Sequence, residues 1–129
     1  MLKRIRAGIL WTRAIGKVQS GHGAAAIILI ERIERLTGFK AYHVVMLARA
    51  EIIEDHFDEA VISLKRALSM MGDNESANAR YLKLHAEALL SLMEGGDYDA
   101  LASEAASIEC TPRLRCWFPT PERPQPNSG

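Results

Sequence analysis

The chain has 129 residues, 48% of them hydrophobic and 6% aromatic, which is enough for one packed domain of close-fitting helices and too little aromatic and β-branched material to favour sheets. No apolar run approaches the roughly 18 residues a membrane span needs, and two cysteines, Cys110 and Cys116, do not make a disulfide framework, so a reducing cytoplasm is the expected setting. The net charge of zero conceals a split: residues 1–50 hold 9 Lys/Arg against 2 Glu, residues 51–109 hold 4 against 13, and residues 110–129 hold 3 against 1.

The first predicted helix covers 2–19. Its start, Met1-Leu-Lys-Arg-Ile-Arg6, imitates the n-region of a signal peptide, but the apolar stretch Ala7–Trp11 is cut at Arg13, too short for an h-region. Arg6, Arg13 and Lys17 share one side of this helix, and with Leu2, Ile5, Ile9 and Trp11 they make a surface-seeking amphipathic pattern. The plainer reading is a solvated outer face. Contact with an anionic membrane surface ranks second and contact with nucleic acid third, since no aromatic residues interleave the cations.

Further helices are expected at 23–37, 40–54, 57–71, 75–94 and 98–109. Gly21 and Gly23, Gly38, Gly72, and Gly95 with Gly96 punctuate them, and glycine supplies the left-handed residue that closes a helix. Asp55 fills the missing break, with Asp58 and Glu59 well placed against the next helix dipole. Asp73 with Glu75, and Asp97 with Asp99, look like similar starts. All five prolines, at 112, 119, 121, 124 and 126, lie at the end. They divide the chain into a helical domain, 1–111, and a Pro-rich flexible tail, 112–129.

One spacing recurs after three turns. Phe57, Ala60, Leu64 and Ala67 are separated by 3, 4 and 3, as are Tyr98, Leu101, Ala105 and Ile108, and more loosely Gly23, Ala26, Ile30 and Ile33. These steps keep one helix face apolar. The preceding turns, at Gly21, Asp55 and Gly96, follow one another at comparable intervals, the second somewhat longer than the first. A recurrence of roughly 34 residues predicts stacked helical hairpins. The expected fold is therefore all-α, a short α-solenoid of three stacked antiparallel hairpins.

Residues 41–72, with Leu47-Ala48 in one helix and Phe57, Ala60, Leu64 and Ala67 in the next, resemble a tetratricopeptide repeat. Residues 82–112 resemble it more loosely through Leu89, Gly96, Tyr98 and Pro112, and residues 7–38 through Ala14, Gly21, Ala26 and Ile30. The resemblance implies a concave groove lined by the first helix of each repeat. Carried over by repeat position, that groove would expose Trp11, Ile15, Val18, Tyr42, Val45, Arg49, Ile52, Lys83, Ala86, Leu90 and Met93. The family's best-known groove clamps a peptide carboxylate with Lys and Asn; here those positions hold Trp11, Ile15, Arg49, Ala86 and Leu90, so acidic chaperone C-termini are not the expected ligand.

Chemical motifs are incomplete. Gly21-His-Gly23-Ala-Ala-Ala26 matches a dinucleotide fingerprint but follows no strand. His85-Ala-Glu87 lacks the P-C-x-x-C partner of a zinc deaminase, and His22, His43, His56 and His85 lack metal-ligand spacing. Glu51, Glu54, Asp55, Asp58 and Glu59 straddle a turn, where capping and solvation account for them. No catalytic residue, cofactor or metal is expected. The sequence points to a non-catalytic protein–protein interaction module, an adaptor or scaffold holding a peptide or helix in a mostly apolar groove. The alternative is a basic N-terminal helix docking on an anionic membrane or nucleic acid. The opposed charges of the two sections also predict weak self-association that fades in salt.

Overall fold

The computed structural model describes residues 2–119. Among them are seven α-helices and no strand: α1 (Leu2–Gln19), α2 (Gly23–Thr37), α3 (Ala41–Ile53), α4 (Phe57–Met71), α5 (Ala77–Glu94), α6 (Tyr98–Ser107) and α7 (Pro112–Trp117). The chain divides into two compact units, the first ending at Met70 and the second starting at Met71.

In the first unit α1 and α2 pack as a hairpin, and α3 packs on both. The 3–4 spacing of α1, α2 and α4 sends Trp11, Ala14, Ile15 and Val18, then Ala26, Leu29, Ile30 and Ile33, then Ala60, Leu64 and Ala67 into the core, while α3 is buried on several sides through Val44, Val45, Met46 and Ala48. Burying one large aliphatic side chain contributes about 1.5–3 kcal/mol. Ser63 of α4 donates to the Glu51 carboxylate of α3 at 2.6 Å. Arg66 pairs with Glu34 of α2 at 3.6 Å and lies over the Phe39 ring at 5.2 Å.

The turns after α1 and α3 are built alike. Gly21 (φ 78) and Asp55 (φ 60) each hold the left-handed conformation. The next amide reaches back one turn and more, His22 to the Lys17 carbonyl and His56 to that of Glu51, both at 2.8 Å, while Gly21 bonds Val18 and Asp55 bonds Ile52. This pair of bonds closes a helix with a single left-handed residue. Asp55 therefore ends α3, where the sequence suggests a cap for the following helix.

In the second unit α5 and α6 form a hairpin. Asp97 caps α6 as expected, accepting from the Ala100 amide at 3.0 Å. The start of α5 differs from expectation: Ser76, not Asp73 or Glu75, caps it by accepting from Ala79 at 3.2 Å, and Asn74 in turn accepts from Ser76. A seventh helix replaces the first part of the expected tail. Thr111 is its N-cap and Pro112 sits in the first turn, the one helical site where a missing N–H costs nothing. Thr111 donates to the Asn78 side chain of α5 at 2.9 Å. Phe118 is fully buried, its carbonyl accepting from the Tyr81 hydroxyl and its ring meeting His85 edge-on at 5.4 Å. The Arg115 guanidinium lies 4.8 Å over the Tyr81 ring. Of the Pro-rich tail expected at 112–129, residues 120–129 lie outside the described residues.

Candidate functional site

Helix α1 divides its residues sharply. One face sends Trp11, Ala14, Ile15 and Val18 into the core. The opposite face carries Leu2 (72% exposed), Ile5 (55%) and Ile9 (55%), which at 3.6 residues per turn fall within about 60° of one another. Arg6, Arg13 and Lys17, all exposed, form the adjoining stripe. On α2, Ile28, Arg32 and Arg35 are likewise exposed and share a face by their spacing of 4 and 3.

The two faces meet in a shallow groove of about 410 Å³ lined by Arg6, Ile9 and Leu10 of α1 and Arg32, Arg35 and Leu36 of α2. Its floor is aliphatic and its charged groups are all guanidinium. None of these three arginines pairs with a carboxylate among the described residues. Arg6 is legible as a surface cation in the sequence; Arg32, Arg35 and Leu36 are not singled out there. A signal exists all the same. In a hairpin, residues equidistant from the turn lie opposite each other. Arg6 and Leu36 stand equally far from Gly21, and so do Leu10 and Arg32.

The residues assigned to a concave groove behave differently. Trp11, Ile15, Val18, Val45 and Ala86 are buried, so these five are packing residues and present no open surface. Trp11 meets Tyr42 and His43 edge-on, with ring centroids 5.2 Å away in each case. Tyr42, Arg49, Ile52, Leu90 and Met93 are half-buried and Lys83 is exposed. In the second unit, Lys83 lines an open pocket of about 700 Å³ with Asp73, Glu75, Arg80, Glu87 and Glu104, a mixed-charge surface without the single sign of the α1–α2 groove.

The histidines and carboxylates have structural work. The Nδ1 of His43 accepts from the Lys40 amide at 3.0 Å. Burial, with Lys40 nearby, lowers its pKa to about 4, so the ring stays neutral in the cluster with Trp11, Tyr42 and Phe39. Burial raises the Glu51 carboxyl above its ordinary value, against the opposing hydrogen bond from Ser63. Burial likewise raises the Tyr42 hydroxyl. Glu54 accepts from the Ala24 amide at 2.7 Å, so the Gly21–Ala26 motif offers no free anion site: the chain's own carboxylate sits at that helix N-terminus. Among the described residues no three His, Cys, Asp or Glu side chains cluster to hold a metal, and no helix is long and apolar enough to cross a membrane.

No family model, curated protein or solved structure matches the chain. The α1–α2 groove combines an aliphatic floor with one sign of charge.

Proposed function

We propose that this chain is a non-catalytic interaction module that docks through the α1–α2 face. The observation that carries this is the grouping of Arg6, Arg32 and Arg35 around Ile9, Leu10 and Leu36. Charge of one sign over aliphatic surface selects a partner that is anionic and partly apolar. The adaptor or scaffold reading belongs here too, with its tetratricopeptide-like repeat. The matching turns at Gly21 and Asp55, one repeat length apart, support it within the first unit. The exposed arginines move the contact surface from the inferred concave groove to the outer side of the first hairpin. A reducing cytoplasm remains the proposed setting, supported by cysteines that are both free, Cys110 half-buried and Cys116 exposed.

The test is fluorescence anisotropy with a labelled helical peptide bearing Leu on one face and Glu on the other. The wild type binds it at low salt and releases it as salt rises. The Arg32→Glu/Arg35→Glu variant loses that binding. Equal binding by both proteins would move the docking face elsewhere.

A further inference from the structure

The partner of this face can be named by its chemistry, on the footing of the docking reading above. We propose that the α1–α2 face docks on the surface of an anionic phospholipid bilayer. Leu2, Ile5 and Ile9 follow one line along α1, and Ile28 follows the line of Arg32 and Arg35 on α2. Single exposed aliphatics are ordinary on any protein. Here each is at least 55% exposed, three form one stripe, and that stripe borders a groove whose charged groups are all cationic.

The arrangement of charge decides between a bilayer and an acidic helix. A helix seated in the groove would cover Ile9, Leu10 and Leu36, yet the stripe continues beyond the groove to Ile5 and Leu2 at the start of α1. Exposure peaks at Leu2, at the helix end. Arg6, Arg13 and Lys17 accompany the stripe, and no acidic residue occurs before Glu31. Of the two acids on α2, Glu34 is paired with Arg66 and Glu31 is exposed. Interfacial helices are built this way: aliphatic side chains enter the acyl boundary while Lys and Arg, their stems along apolar surface, keep their charges among anionic headgroups. The α1 backbone is already fixed by its core face, so docking needs no coupled folding.

Flotation with phosphatidylcholine vesicles, with and without phosphatidylserine, tests this on the full chain. The protein should float with the phosphatidylserine vesicles at low salt and leave them at high salt. Arg32→Glu/Arg35→Glu and, separately, Ile5→Asp/Ile9→Asp should each cut the bound fraction by at least about tenfold, with circular dichroism unchanged because all four positions are exposed. No preference for phosphatidylserine, or undiminished binding by Ile5→Asp/Ile9→Asp, would overturn the bilayer assignment. If vesicles are ignored while the Leu/Glu peptide binds and the arginine variant loses it, the partner is an acidic polypeptide: the bilayer falls and the docking face stands. If neither binds, both fall.

Discussion

A Cβ on Gly23 would lie 2.5 Å from the carbonyl oxygen of Ala50 and 2.9 Å from Cγ of Glu54. The first turn of α2 therefore rests directly on the backbone of α3. Only a residue without a side chain permits that approach. Gly23→Ala should cost about 1–3 kcal/mol through overpacking. Gly8, in the middle of α1 with nothing within 4 Å of its would-be Cβ, is the control. Gly8→Ala should gain about 0.5–1 kcal/mol. Urea unfolding of the two variants beside the wild type gives the opposite signs directly.

Asp55 holds a left-handed backbone at φ 60, the position that Gly21 fills in the turn after α1. That conformation costs an L-residue about 1–2 kcal/mol, less for Asp and Asn. Asp55→Gly should leave the melting temperature unchanged or raise it. Asp55→Ile, β-branched, should lower it clearly. Equal melting for the two variants would mean that the turn does not constrain this residue.

Phe118 closes the second unit. It is fully buried against α5, in contact with His85, and its loss leaves a cavity. Phe118→Ala should cost about 3–5 kcal/mol. The neighbouring Trp117, half-buried, reports on it. In a Trp11→Phe background, the midpoint of the Trp117 emission transition in urea should fall well below that of the parent.

His43 makes stability depend on pH. Its folded pKa of about 4 lies below its ordinary 6.5, so between those values the unfolded chain binds more protons. Stability is fully present above about 6.5, falls as pH drops toward about 4, and loses nothing further to this group below that. The slope is at most about 1.4 kcal/mol per pH unit. Glu51 has the opposite sign, since its raised carboxyl favours the protonated folded state at low pH. Urea midpoints across this range in a Glu51→Gln background isolate the histidine. A flat profile there, indistinguishable from that of Glu51→Gln/His43→Gln, would remove His43 as the cause.

The ends of α1, α2 and α4 are readable because each is marked locally, by Gly21 or by a 3–4 run of apolar residues after a turn. Helix α7 is not. In sequence Pro112 reads as a breaker, whereas Thr111-Pro112 is a helix start. Glu54 reads with its own acidic group, and its true partner is an amide 30 residues earlier, a relation no local pattern carries. Burial of five residues of the inferred groove was not legible for a related reason. Repeat position predicts which face of a helix a residue occupies, not what covers it, and Trp11 and Val45 lie inside the core. The arginine groove needs two helices laid side by side before its members become neighbours.

The Glu54 carboxylate also ties two helix ends into one dynamic element. It leaves the last turn of α3 to hold the first turn of α2, through Ala24, at the point where Gly23 already touches Ala50. Helix ends ordinarily fray one by one, and their amides exchange with solvent at unrelated rates. Here opening either end breaks the bond it shares with the other. The amides of Ala24 and His56, distant in sequence, should therefore exchange with deuterium through one shared opening, slowing and quickening together as conditions change.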